Sequence, residues 1–195
     1  MRLVLASRNA HKLRELERLL APHELVPMPA ELELAPETGS TFRANAVAKA
    51  RQVARATGLP ALADDSGLEA VALGGAPGVR SARFAGERAT DAENLRALLA
   101  AVPAHGDRRV RYVCVLAHVT PDGHEQCVEG RCDGLLALHP RGRGGFGYDP
   151  AFLPLEEDGR TMAELSPAEK DRISHRGRAA RALAPRLAEE RAPAP

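Results

Sequence analysis

Apolar positions recur along the first twenty residues in two different rhythms. Leu3, Val4, Leu5 and Ala6 form an unbroken run suited to a buried strand over residues 2–6, while Leu13, Leu16, Leu19 and Leu20 share one face of a helix over residues 10–20. A strand feeding directly into a helix is a βα unit. A second strand is predicted within residues 23–30, and the alanine-rich stretch that follows reads as a helix beginning near Thr41 and ending near Gly58. A strand at residues 60–64 comes next, then a glycine-rich surface excursion over residues 67–86. Thr90 or Asp91 caps a helix carrying Leu95, Leu98, Leu99 and Val102. Residues 108–119 and 124–138 are the clearest strand signals. They flank Thr120-Pro121-Asp122-Gly123, whose proline at the second position and glycine at the fourth predict the turn of a hairpin. After a loop over residues 139–150, Ser166-Pro167-Ala168-Glu169 forms a capping box and Ser174 is placed to cap the last helix. Residues 191–195 read as a disordered tail. βα units around a central hairpin predict an α/β domain on a mixed sheet, in two lobes with a cleft between them.

Composition narrows the classes of function. The 195 residues suffice to bury a core without a cofactor, and 27 basic against 26 acidic residues leave a formal charge of only +1. That balance gives no global field for nucleic acid or an anionic membrane, so phosphate binding must be local. The N-terminal apolar run is too short for a signal segment and no other run approaches a membrane span, which predicts a cytoplasmic protein. Cys114, Cys127 and Cys132 are odd in number, lack C-x-x-C spacing and read as small buried hydrophobes. Lysine occurs only at positions 12, 49 and 170, against 24 arginines. A compact ammonium does what a planar guanidinium cannot at a crowded phosphate.

Five stretches could carry chemistry. Ser7 to Lys12, at a strand-to-helix junction, could gather backbone N–H groups and a lysine around an anion; the same residues could equally cap a helix and leave Lys12 solvated. Asn45, Lys49 and Gln52 form a polar stripe on an alanine-rich helix downstream of Glu37. Asp64 and Asp65 end the strand at residues 60–64, and strand alternation sends them to opposite faces, so they are not a dyad. Gly142, Gly144 and Gly147 satisfy G-x-G-x-x-G, but Tyr148-Asp149-Pro150 cannot open the required helix. The loop is better read as presenting Phe146 or Tyr148 to a base, with Asp149 as a hydrogen-bonding group. Lys170, His175 and Arg176 gather donors near a helix terminus, alone no more than a basic solvated face.

Taken in order, "LASRNAHKLRE", "ETGSTFRANAVAKA", "LADDSGLEA", "GAPGVRSARFAG", "GFGYDPAF" and "MAELSPAEKDRISHRGRA" resemble the inosine triphosphate pyrophosphatase family, the Ham1-like nucleoside triphosphate pyrophosphohydrolases. The resemblance runs from Leu3 to about Leu183. It implies one domain over residues 1–190: an elongated mixed sheet with flanking helices, in two lobes around a central nucleotide cleft. It further implies hydrolysis of ITP, dITP and XTP to the monophosphate and pyrophosphate, Mg²⁺ as cofactor, a homodimer, and no membrane or nucleic-acid partner. By the same resemblance Ser7, Arg8, Asn9, Ala10, His11 and Lys12 bind the triphosphate, together with Lys49. Glu37 and Asp65 hold the metal, and Asp65 is also the proton acceptor. Ser66, Phe146, Gly147, Tyr148, Asp149, Lys170, His175 and Arg176 contact substrate. Ser7 stands where many relatives have threonine, which keeps the hydroxyl. The chemistry is coherent: hard carboxylates suit Mg²⁺, lysines suit phosphates, and Asp65 is expected chiefly to orient the attacking water. A pocket of donors at Lys170, His175 and Arg176 would favour bases with a carbonyl at position 6 and leave donors unpaired against adenine.

Overall fold

The computed structural model describes residues 1–190, and the tail expected at 191–195 lies outside the described residues. Six strands form one sheet: β1 (Arg2–Leu5), β2 (Glu24–Pro27), β3 (Ala61–Ala70), β4 (Arg109–Val119), β5 (Glu125–Leu136) and β6 (Phe152–Pro154), in the order β2-β1-β3-β4-β5-β6. Both β2 and β3 run parallel to β1, with Leu3 beside Leu25 and Leu5 beside Leu62, whereas β6 is antiparallel to β5. The sheet is therefore mixed. Its helices are α1 (Ala10–Leu19), α2 (Phe42–Thr57), α3 (Asp91–Ala101), α4 (Pro167–Ile173) and α5 (His175–Glu189).

Local chemistry sets these boundaries. Asn9 caps α1, and Thr41 caps α2 by accepting from the Ala44 N–H. Gly58 closes α2 at φ +66°, a left-handed conformation that a Cβ disfavours. Capping boxes at Thr90–Glu93 and Ser166–Glu169 start α3 and α4, each satisfying backbone donors that a helix cannot satisfy internally. In the hairpin turn the Gly123 N–H donates to the Thr120 carbonyl at 3.0 Å, closing the turn anticipated between β4 and β5.

Two elements depart from expectation. The strand expected to stop at residue 64 continues to Ala70, so there is no turn at Ser66-Gly67 and the two aspartates lie within β3 rather than at its end. Leu68 and Ala70 are buried, and the Leu68 N–H donates to the Ser81 hydroxyl at 2.8 Å. That burial carries the strand through the polar residues. Short 3-10 turns at Val71–Leu73 and Gly78–Arg83 then occupy the glycine-rich segment. β6, three residues ending in proline, is too short for any periodicity to announce it.

The chain divides into two compact units. Unit 1 comprises, among the described residues, 1–65, 114–130 and 176–190; its core gathers Leu3, Leu5, Leu16, Leu62, Leu116 and Leu183. Unit 2 comprises residues 66–113 and 131–175, around Leu68, Leu98, Tyr112, Leu136, Phe152 and Met162.

Candidate functional site

The polar stripe on α2 is turned inward. Ala46 and Ala50 are fully buried and let the helix pack closely, which brings Asn45 and Lys49 against the aspartates of β3. Lys49 Nζ donates to Glu37 Oε1 at 2.5 Å, to Asp65 Oδ1 at 3.1 Å and to the Asp64 carbonyl at 3.0 Å. Asn45 Nδ2 donates to Asp65 Oδ2 at 3.1 Å, while its Oδ1 accepts from the Gly39 N–H at 2.8 Å. Both oxygens of Asp65 are thus oriented by α2. A pocket of about 270 Å³ lies beside this group, with Glu37, Gly39, Asn45, Lys49 and Gln52 among its walls.

The helix cap and the lysine of the first stretch both have definite places. Asn9 Oδ1 accepts from the N–H groups of His11 and Lys12, and Ser7 Oγ accepts from the Asn9 N–H. The capping reading is right for Asn9, but Lys12 is not a solvated cation: its Nζ donates to Asp64 Oδ1 at 2.5 Å. Arg8 points elsewhere and donates to the carbonyls of Ala30 and Leu32. No acid stands in the first turn of α1, so that end of the helix carries no fixed negative charge, although the Asn9 cap already takes up the His11 and Lys12 N–H groups. Ser7, Asn9, Ala10 and Met28 help to line a second pocket of about 300 Å³.

Asp64 and Asp65 take separate partners, in keeping with strand alternation. Asp64 is fully buried; Arg176 Nε donates to its Oδ2 at 2.7 Å and the Cys114 thiol does so at 3.2 Å. Arg176 also donates from Nη1 to Glu15 Oε2 at 2.6 Å. Burial alone would push the Asp64 carboxyl up, but Arg176 and Lys12 outweigh it and hold the group well below the usual carboxylate range. Burial and the Asp64 charge push the Cys114 thiol well up, so it stays a donor. Burial lifts the Asp65 carboxyl above its ordinary value despite Lys49, and Glu37 adds to the rise. Burial lowers the Lys49 ammonium, but Asp65 and Glu37 together raise it further. Counted together, Lys12, Lys49 and Arg176 face four carboxylates, those of Glu15, Glu37, Asp64 and Asp65.

Among the described residues no group of three or more His, Cys, Asp or Glu side chains is arranged to hold a metal ion. Magnesium seldom needs such a cage, since one or two carboxylates plus water and substrate phosphates complete its shell. Glu37 and Asp65 fit that donor set: one ammonium nitrogen, Lys49 Nζ, touches both.

In unit 2 the organising residue is Asp149, buried with its Oδ2 accepting from Lys170 Nζ at 2.7 Å and from the Phe146 N–H at 2.9 Å. Its Oδ1 accepts from the Tyr112 hydroxyl at 3.1 Å. His175 stacks on Tyr112 with ring centroids 4.4 Å apart, and Lys170 Nζ lies 5.1 Å from the Phe146 ring centroid. The Gly147 N–H donates to Asp91 Oδ2 at 2.8 Å. Tyr148 is buried in the core and donates its hydroxyl to the Ser81 carbonyl at 2.7 Å, which leaves Phe146 as the half-exposed aromatic of the glycine loop. Ser66 is half-buried on β3. Lys170 and His175 thus belong to unit 2, whereas Arg176, one residue on, belongs to unit 1.

Asp64, Asn45, Glu15, Cys114 and Tyr112 take part although none was among the sequence-predicted site residues; Asp64 stood out only as the neighbour of Asp65. Asn45 carried a signal, as a scarce residue one turn from Lys49. Glu15, Cys114 and Tyr112 carried none, being single residues inside otherwise ordinary apolar patterns.

A model of the Ham1 family matches residues 3–186. The chain is 50% identical over 194 residues to the dITP/XTP pyrophosphatase of Mycolicibacterium paratuberculosis, covering 95% of each chain. It is also 50% identical over 192 residues to that of Streptomyces coelicolor, covering 94% of this chain and 96% of the relative. Among solved structures it resembles the HAM1 protein of Coxiella burnetii, with TM-score 0.85 and 45% identity over 97% of this chain and 99% of that one. The Ham1 protein of Staphylococcus aureus is similar with TM-score 0.87 and 36% identity over 98% and 100%.

Proposed function

The chain belongs to the Ham1 family, and from that premise we propose that it is a dITP/XTP pyrophosphatase, converting dITP, XTP and ITP to the monophosphate and pyrophosphate by attack at the α-phosphorus. The relatives' names support the substrate class. The observation that carries the chemistry is the meeting of Lys12 with Asp64, and of Lys49 with Glu37 and Asp65, around one strand.

On this reading Glu37 and Asp65 hold Mg²⁺, which when bound stabilises charge on the phosphate oxygens. Lys12 and Lys49 act as compact point charges on the triphosphate, and the N-terminus of α1 adds a favourable dipole. Asp65, raised by burial and held at both oxygens by Asn45 and Lys49, orients the attacking water and takes up its proton. Phe146 is assigned as the ring that stacks on the purine, with Lys170 and His175 as donors beside Asp149. Donors aimed at position 6 pair with the carbonyl of hypoxanthine or xanthine and meet only an amino group on adenine, which leaves a polar contact unmade. Arg176, Ser66 and the remainder of Ser7 to Lys12 complete the assigned substrate contacts. A homodimer and a cytoplasmic location follow from the family resemblance and belong to the same proposal.

The test is incubation with dITP, ITP, XTP, ATP, GTP and dTTP in the presence of Mg²⁺, with identification of the products. Pyrophosphate released selectively from the first three is expected; orthophosphate, or equal turnover of ATP, contradicts the reading.

A further inference from the structure

Asp64 is the carboxylate that the proposed reaction leaves without a task. It is fully buried within β3, and its oxygens are taken up by side chains rather than turned toward solvent: Lys12 on Oδ1, Arg176 and Cys114 on Oδ2. Its neighbours form a closed circuit. Glu15 and Lys12 sit three residues apart on α1, Glu15 binds Arg176 at the start of α5, Arg176 binds Asp64 on β3, and Asp64 returns to Lys12. The chain of charges thus begins and ends on the helix that follows the Ser7–Lys12 loop.

We propose that Asp64 is a positioning residue, which fixes the Lys12 ammonium for the triphosphate and is itself held in place by the Arg176 guanidinium on its other oxygen. Lysine carries its charge on a flexible four-carbon stem, and the Lys12 side chain retains 15% exposure, so without an anchor its ammonium would sample many positions. The Asp64 carboxylate selects one of them. A single buried carboxylate beside a single lysine is poorly compensated, and the guanidinium, with the Cys114 thiol, supplies the remaining partners. Glu15 balances the guanidinium in turn. The same strand residue anchors the second lysine differently, because the Asp64 carbonyl accepts from Lys49 Nζ at 3.0 Å and approaches Lys12 Nζ at 3.4 Å.

The inference rests on the reading that Lys12 meets the triphosphate, and a double-mutant cycle separates the two. kcat/KM for dITP is measured for the wild type, Lys12→Ala, Asp64→Asn and the double variant, alongside inhibition by inorganic tripolyphosphate, which has no base. Each single substitution is expected to lower kcat/KM about 10- to 100-fold, the size of one charge-assisted hydrogen bond. The double variant is expected to match Lys12→Ala within about 2-fold, because Asp64 acts through a side chain no longer present. Tripolyphosphate inhibition should weaken in Asp64→Asn but not weaken further in the Lys12→Ala background. A merely structural role would multiply the two losses, and that result, or wild-type kcat/KM in Asp64→Asn, overturns the proposal and leaves the functional reading standing. Wild-type kcat/KM in Lys12→Ala overturns the phosphate role of Lys12 and the proposal with it. If Asp64→Asn does not fold, Asp64→Glu, which keeps the charge but displaces it by one methylene, enters the same cycle with the same outcomes.

Discussion

Replacing Arg176 by leucine removes the guanidinium that touches both Asp64 and Glu15 while leaving a side chain that can fill part of its space. Arg176 is 1% exposed, at 2.7 Å from Asp64 Oδ2 and 2.6 Å from Glu15 Oε2. Taking one partner from a buried ion pair costs about 3–5 kcal/mol, because the remaining charge stays out of water without its counterion. For a chain of this length that corresponds to roughly 6–20 °C in Tm. The pH dependence gives a second check. In the wild type Asp64 titrates well below its ordinary 3.8, so its contribution is fully present above that value and is lost only as pH falls through the depressed folded value. In Arg176→Leu the guanidinium no longer offsets burial and only Lys12 still opposes it, so the folded value rises and protonation relieves the variant as the pH is lowered. The stability gap between the two proteins should therefore narrow from pH 7 toward pH 4.5, as measured by urea unfolding followed by circular dichroism. A gap below about 1 kcal/mol at pH 7, the scale of an exposed ion pair, or a gap that does not change with pH, would refute the reasoning.

Other substitutions test separate parts of the account. Asn45→Ala takes a partner from both the Gly39 N–H and Asp65 Oδ2, and should cost about 1–3 kcal/mol of stability together with a fall in kcat; unchanged kcat would count against the orientation of Asp65 by α2. Gly145→Ala imposes a Cβ at φ +68° and only 2.0 Å from Asp149 Oδ2, so it should raise KM for dITP about 10-fold or more by displacing the residue that holds Lys170. An unchanged KM would separate that loop from base recognition. His118 is fully buried on β4; burial lowers its pKa, with Glu190 opposing and His124 and His23 reinforcing. The unfolded chain takes up the proton first, so stability should be lost as pH falls below about 6.5, and His118→Gln should reduce the Tm drop between pH 7 and 5.5. An identical drop in the variant would assign the effect elsewhere.

Much of the fold was legible because local signals agreed with one another. The leucine spacing of α1, the Thr41 and Gly58 boundaries of α2, the Ser166–Glu169 capping box and the turn at Thr120–Gly123 each combine a periodicity with a terminus. β3 was misjudged at its far end because two aspartates and a Ser-Gly pair look like the exit from a core. Their charges are instead matched by Lys12, Lys49 and Arg176, which come from distant parts of the chain. Sequence spacing marks Lys12 and Lys49 as scarce but cannot say what they face. Cys114, read as a small hydrophobe, is buried as expected and also donates to a carboxylate, a role visible only once Asp64 stands beside it. Tyr148 shows the reverse: a rare aromatic on a polar glycine loop suggested exposure, yet its ring packs in the core and its hydroxyl is satisfied by Ser81. Helix caps depend on neighbours in sequence, whereas charge matching depends on neighbours in space.

Hydrolysis of dITP in ¹⁸O-labelled water, followed by ³¹P NMR of the products, tests the central claim most directly. Water oriented by Asp65 against the α-phosphorus places one ¹⁸O in the phosphate of dIMP and leaves the released pyrophosphate unlabelled. Label in the pyrophosphate, or orthophosphate as the product, would contradict the account.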